Sequence, residues 1–260
     1  MQKFVFGMPT LIELSNIEEC VAVCKDLGLH FIEINMNMPQ YQIGIIDIKS
    51  LKKAYDCGIF FTFHLDENFN IADFNNEITN GYLCTIQLTI DIAKMLNVSV
   101  INMHMAEGVH FKLPNGKIYL FEKYNDFYMN SLKKFKDYCI EWVTGSRIKI
   151  CIENCSGYLP FQIKGIEYLL ESDVFQLTYD IGHCYCAKNI DEQFIMENKK
   201  RVYHMHIHDA HGDKCHLVLG SGNIDLKEKL SLAKSQNCYC VVETKSLSGL
   251  RESIKYLQNL

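Results

Sequence analysis

Eight short apolar or alternating runs, each giving way to a longer amphipathic stretch, constrain this 260-residue chain more than any other feature of its sequence. The runs that read as strands are Lys3–Met8, Leu29–Ile34, Ile59–His64, Val98–His104, Ile148–Glu153, Phe175–Asp180, Val202–His208 and Cys238–Glu243. Helical patterns fall at Ile17–Leu27, Asp47–Asp56, Asn76–Leu96, Tyr124–Val143, Gly165–Leu170, Ile190–Lys199, Leu226–Lys234 and Ser248–Leu257. Strict alternation of the two implies parallel pairing through crossover helices, and eight such units form a closed (β/α)8 barrel. An open doubly wound sheet gives no reason for eight units, and no GxGxxG follows the first strand. No linker rich in Pro, Gly or Ser divides the chain, so residues 1–260 read as a single TIM-barrel domain of the α/β class.

A barrel of this kind carries its chemistry on the carboxyl ends of its strands. The expected strands finish on or beside Glu33, His64, His104, Glu153, Asp180, His206 with His208, and Glu243, all of them metal ligands or acid–base groups by type. Within Val202–His208 the imidazoles of His204, His206 and His208 alternate and therefore share a face, away from Met205 and Ile207. Three imidazoles on one face are an odd way to build a dry core, and they point to a divalent metal. Glu153, Asp180, His206 and Glu243 form a ligand set for Mn2+, Zn2+ or a similar ion, with room for two substrate oxygens. His64, His104, His183 and His216 add imidazoles for a second or third ion. If these groups point inward, so do Thr62, Asn102, Cys151, Thr178 and Val241 two residues earlier, and several of those are small or polar.

Composition narrows the function. A net charge of −5 and only three arginines, Arg147, Arg201 and Arg251, weigh against a partner bound through its phosphates. No run approaches the length of a membrane span, and MQKFVFGM enters a strand almost at once rather than forming a signal peptide. The 12 cysteines contain no CxxC pair and read as reduced apolar fillers of a cytoplasmic protein; Cys184, Cys186 and Cys215 adjoin expected ligands but lack a zinc-type spacing. Two segments keep two readings each. LGSGNIDL is either a phosphate site at a helix start or a glycine turn with an Asn or Asp cap. Met105–Lys117 is either a lid offering His110, Lys112 and Lys117 to a phosphate or a solvated loop.

In order along the chain, FHLDENFN, INMHMAEG, CIENCSG, LTYDIGHCY, HMHIHDAH, HLVLGSGNIDL and VVETKS resemble the motifs of the xylose-isomerase-like barrels, which include sugar phosphate isomerases and epimerases and endonuclease IV. By that resemblance, ketose 3-epimerases would hold one metal with the residues matching Glu153, Asp180, His206 and Glu243, and would touch substrate with the one matching His183. Endonuclease IV would use the same four, add histidines matching His64, His104, His183 and His216, and hold three zinc ions with one further aspartate. That aspartate's position is Lys214 here, with Asp213 beside it, and acidic Asp66 and Glu67 follow His64, which disfavours DNA.

The expected activity is therefore isomerisation or epimerisation of a small sugar or sugar phosphate, with the endonuclease IV-like zinc phosphodiesterase as the alternative. Glu153 and Glu243 would be the acid–base pair, passing a proton through an enediolate stabilised by one metal ion, and up to three ions are provided for. His183, Glu33, His64, His104 and Lys112 would meet the substrate, with Glu33 also suited to orienting a histidine. The expected partners are a small sugar and further copies of the chain in a homo-oligomer, and neither nucleic acid nor a membrane.

Overall fold

The computed structural model describes residues 4–260. Eight parallel strands close into a barrel: β1 Val5–Pro9, β2 Phe31–Asn35, β3 Phe60–His64, β4 Val100–His104, β5 Lys149–Glu153, β6 Phe175–Asp180, β7 Val202–Ile207 and β8 Tyr239–Val242. Each strand pairs with its neighbours in sequence, and β1 closes on β8 with Gly7 opposite Val241. The single (β/α)8 architecture expected from the periodicity is what the chain forms. Every expected strand is present within a few residues; Lys3, the start expected for the first, lies outside the described residues.

The helices begin where side chains can accept the free N–H groups of a first turn. Asn16, Asp47, Asn75, Asp225 and Ser246 each cap a helix in this way. The helix expected from Gly165 instead runs Pro160–Leu170, because Pro160 suits a first turn and the Gln162 side chain accepts the Leu159 N–H at 2.8 Å. A helix at Ile181–Cys186, not foreseen, starts on Asp180, whose carboxylate accepts the His183 N–H at 2.7 Å. The run Ile190–Lys199 shortens to Glu192–Glu197, followed by a 3-10 turn at Lys199–Arg201.

The barrel floor is aromatic. Phe31 stacks on Phe60 with ring centroids 5.1 Å apart and meets Tyr239 edge-on at 5.9 Å. A Cβ on Gly7 would stand 2.6 Å from the Phe31 ring, so β1 carries glycine where that ring crosses the barrel. Above the floor the interior turns polar, with Thr62, Asn102, Thr178, His204 and Glu33 all buried.

Two antiparallel hairpins stand on the carboxyl side of the barrel. His110–Leu113 pairs with Gly116–Tyr119, so the segment read as a lid or plain loop has its own secondary structure. Asp209–His211 pairs with Lys214–Leu217 across a turn whose Gly212 has φ +63, a left-handed backbone suited to glycine. Among the described residues, no helix is long and apolar enough to cross a membrane.

Candidate active site

Closure of the barrel brings the ends of β5, β6, β7 and β8 to one point. His206 Nδ1 lies 3.1 Å from Glu153 Oε1, 3.1 Å from Glu243 Oε2 and 3.8 Å from Asp180 Oδ2. His206 is fully buried, as are Asp180 and all but 1% of Glu153, while Glu243 keeps 8% exposure towards the mouth. One imidazole proton cannot satisfy three carboxylates, and Glu243 Oε2 is left without a hydrogen bond. Buried carboxylates gathered without enough protons are a poor arrangement unless a cation joins them.

The histidines expected as further ligands surround this point. His64 Nε2 and His104 Nε2 each lie 3.2 Å from Glu153 Oε2, and His183 Nδ1 lies 3.4 Å from Asp180 Oδ2 and 3.6 Å from Glu153 Oε1. His64 Nδ1 donates to the Leu65 carbonyl at 2.7 Å, and His216 Nδ1 to the Glu243 carbonyl at 3.1 Å. A carbonyl only accepts, so in the neutral rings each Nε2 presents a lone pair to the site. Burial would raise the Glu153 and Glu243 carboxyls, yet the surrounding imidazoles, led by His206, hold both well below the usual carboxylate range. Burial conversely disfavours the His64 and His183 cations, but the Glu153 and Asp180 carboxylates lift these pKa values to about 9 and about 10. Burial lowers His216 to about 4. Without metal, protonated imidazoles thus supply the positive charge that the carboxylates require. The donor set, the tautomers and the unpartnered Glu243 oxygen all fit a divalent cation held by Glu153, Asp180, His206 and Glu243.

Groups behind these residues fix them. Glu33 Oε1 lies 2.8 Å from His206 Nε2, somewhat off the line of an ideal hydrogen bond, and its Oε2 takes a bond from His204 Nε2 at 2.8 Å and from Thr62 at 3.1 Å. Only 2% of Glu33 is exposed. This corrects the expectation that Glu33 meets substrate: it sits beneath the site and turns Nδ1 of His206 towards the carboxylates. Thr178 donates to Asn102 Oδ1 at 2.6 Å, and Asn102 in turn donates to Glu153 Oε2. His208, absent from the expected ligands, accepts the His216 N–H on Nδ1 at 2.8 Å, with the Asp209 carbonyl more distant at 3.3 Å. Its Nε2 therefore carries the proton and donates to Asp180 Oδ2 at 3.1 Å. Gly182 makes room, since a Cβ there would lie 1.9 Å from the His208 ring. Lys245, also missed, pairs with Glu243 Oε1 at 2.7 Å; its place two residues beyond Glu243 was the available signal.

Other expectations fare differently. His183 Nδ1 lies near Asp180 without making a hydrogen bond, and its Nε2 lies 3.3 Å from His216 Nε2. Lys112 is exposed on the first hairpin, opposite Lys117. The phosphate reading of LGSGNIDL fails for a local reason: the buried Asp209 carboxylate already accepts the N–H groups of Gly220, Gly222 and Ile224 at 2.9–3.1 Å. Asp225 caps the following helix, as the alternative reading had it. A cleft of about 180 Å³ opens beside Glu153, lined by Glu67, His104, Glu107, Ser156 and Gln162 among others. A larger cavity of about 1230 Å³ lies at the opposite end, near Lys94, Arg147, Tyr203 and Tyr239, and holds none of these groups.

Comparison with known proteins follows the same geometry. The chain is similar to an uncharacterised protein of Methanocaldococcus jannaschii, 26% identical over 216 residues that cover 81% of this chain and 80% of the relative. Among solved structures it is similar in fold to a D-tagatose 3-epimerase-like protein, with a TM-score of 0.75, 21% identity and coverage of 98% and 96%. It is also similar to the IolI protein with a bound zinc atom, with a TM-score of 0.74, 15% identity and the same two coverages. The profile of the xylose isomerase-like TIM barrels matches residues 21–260, and the chain belongs to that family.

Proposed function

We propose that the chain is a metal-dependent isomerase or epimerase of a small sugar, in which Glu153 and Glu243 take a proton from carbon and return it. The observation that carries this reading is the convergence of Glu153, Asp180 and Glu243 on Nδ1 of His206 within 3.1–3.8 Å. A divalent cation bound there supplies polarisation of the substrate carbonyl and offsets the negative charge that develops beside it. Glu153 and Glu243 stand on different strands at the mouth, so a substrate between them meets a carboxylate on each face. The two are not equivalent. Glu243 gives its unpartnered Oε2 to the ion and keeps Oε1, held by Lys245, as the oxygen that accepts the proton. Glu153 is fixed by Asn102 and flanked by His64, His104 and His206, and a proton on it can be returned to the opposite face. Glu67, Glu107, Ser156 and Gln162 around the adjoining cleft offer hydroxyl partners of the kind a sugar needs. The sugar epimerases that share the fold support the substrate class.

A second reading, a zinc phosphodiesterase acting at abasic DNA, draws support from His64 and His104 beside Glu153 and from His183 beside His216. The acidic Glu67 and Glu107 at the cleft repel a phosphodiester and weigh against it. The deciding experiment follows deuterium uptake from D2O beside the carbonyl of free ketoses by NMR, with manganese- or zinc-loaded protein. Exchange by wild type that is lost in folded Glu153→Gln and Glu243→Gln proteins is expected. Undiminished exchange in either variant overturns the acid–base assignment, and cleavage of abasic DNA without sugar exchange supports the second reading.

A further inference from the structure

The cavity of about 1230 Å³ lies at the amino end of the barrel, on the side away from the carboxylate cluster, and the proposed reaction does not use it. Phe60, Tyr203 and Tyr239 line it and are all half-buried. Phe60 and Tyr203 each meet the Tyr239 ring at centroids 5.7 Å apart. The stack of Phe31 on Phe60 closes the barrel between these rings and His204. The rim is made of turns in which Gly58, Asn97 and Gly145 take left-handed backbone, with φ of +88, +51 and +77. A Cβ on Gly58 or Gly145 would meet nothing within 4 Å, so the space in front of them is open.

The charge of this wall is one-sided. Among the described residues that line the cavity, Lys94 and Arg147 are the ionised groups, and none is an aspartate or glutamate. The chain as a whole carries a net charge of −5. Arg201 and Arg251 each hold an aspartate at 2.7 Å, whereas neither Arg147 nor Lys94 has an ion-pair partner among the described residues. Lys94 stands in the last turn of the helix Asn76–Met95, where carbonyl ends favour a cation without any ligand. Arg147 lies beyond the helix Asn125–Trp142 and just before β5, so that explanation does not extend to it. Ser99 and Tyr203 add hydroxyl donors. Burial and the neighbouring Tyr239 raise Tyr203 to about 12, so its hydroxyl keeps its proton at neutral pH, and Arg147 is close enough to oppose that rise.

We propose that this cavity binds a phosphate ester carried on a planar ring, of the class of a nucleoside monophosphate, with Arg147 on the phosphate and the Phe60, Tyr203 and Tyr239 surface against the ring. A guanidinium presents paired N–H donors that match two phosphate oxygens, and Lys94 adds a point charge. A bare phosphate would leave the aromatic surface uncovered, and a neutral ring would leave Arg147 unpaired. The cavity exceeds the roughly 300–1,000 Å³ usual for small-ligand sites, so such a molecule fits without rearrangement. Binding makes and breaks no covalent bond. The site stands apart from the carboxylate cluster and holds whichever reaction that cluster performs.

Calorimetric titration of the full chain with AMP tests this directly, in EDTA so that no metal ion at the carboxylate cluster takes the phosphate. Wild type is expected to bind AMP with a Kd below about 1 mM. Inorganic phosphate and adenosine, each keeping only part of the contacts, bind at least about tenfold more weakly. Arg147→Ala, an exposed change whose fold is checked by its melting curve, weakens AMP by about tenfold or more. Glu243→Gln binds AMP as wild type does, because the cluster lies at the other end of the barrel. Absence of AMP binding at millimolar concentration, equal affinity for AMP and inorganic phosphate, undiminished binding in Arg147→Ala, or loss of binding in Glu243→Gln overturns the proposal.

Discussion

Replacing Glu33 by glutamine separates the role that the geometry gives this residue from the one its strand position suggested. Glu33 reaches no substrate; it accepts from His204 and faces His206 Nε2 at 2.8 Å. The amide keeps the shape but offers one acceptor oxygen, so one of two buried imidazoles loses its partner. Removing the outer partner of a ligating histidine weakens metal binding 10–100-fold, about 1.4–2.8 kcal/mol. A buried group left unsatisfied destabilises by about 1–3 kcal/mol, which lowers Tm by roughly 2–12 °C in a chain of this size. Burial would raise the Glu33 carboxyl, but His206 and His204 hold it below its ordinary 4.5. A depressed carboxyl stabilises the fold above that value and loses the effect as pH falls, so the Tm gap between wild type and Glu33→Gln narrows in acid. Calorimetric titration with manganese or zinc and thermal melts at several pH values measure both effects. With the site saturated, kcat and KM should stay near wild type. Unchanged metal affinity together with activity lost at saturating metal would refute the positioning role and return Glu33 to the substrate.

Three further outcomes follow from the same contacts. Gly182→Ala forces a methyl group to within 1.9 Å of the His208 ring; displacing that ring from Asp180 should weaken metal binding about 10–100-fold, read by the same titration. Asp209→Ala strips acceptors from Gly220, Gly222 and Ile224 and should destabilise by on the order of 4 kcal/mol in urea unfolding; a loss under 1 kcal/mol contradicts the structural role. In metal-free protein His64 and His183, lifted to about 9 and about 10, hold protons at neutral pH, so an ion bound by them must displace protons and binds more tightly as pH rises towards those values. Calorimetry in buffers of different ionisation enthalpy counts the released protons, and a count of zero removes both from the ligands.

Much of this was legible in the sequence because a barrel is written locally. Each strand is an apolar run, each helix a periodic one, and the fold itself sends strand ends to one rim, which is why Glu153, Asp180, His206 and Glu243 could be named in advance. What escaped depends on pairings across the barrel or on turn chemistry. Glu33 meets His204 across 171 residues, a contact that only barrel closure creates. The orientation of His208 follows from the left-handed backbone at His216, and Asp209 fills an anion position that LGSGNIDL alone leaves open. That Lys112 faces Lys117 across a hairpin is likewise a pairing the sequence does not spell out.

The most direct test is a crystal structure of manganese-loaded protein with anomalous data collected at the manganese edge. A peak bounded by Glu153 Oε1, Asp180 Oδ2, His206 Nδ1 and Glu243 Oε2 is the expected result. Manganese bound elsewhere, with His206 Nδ1 still hydrogen-bonded to Glu153, would contradict the assignment of this cluster as the reaction centre.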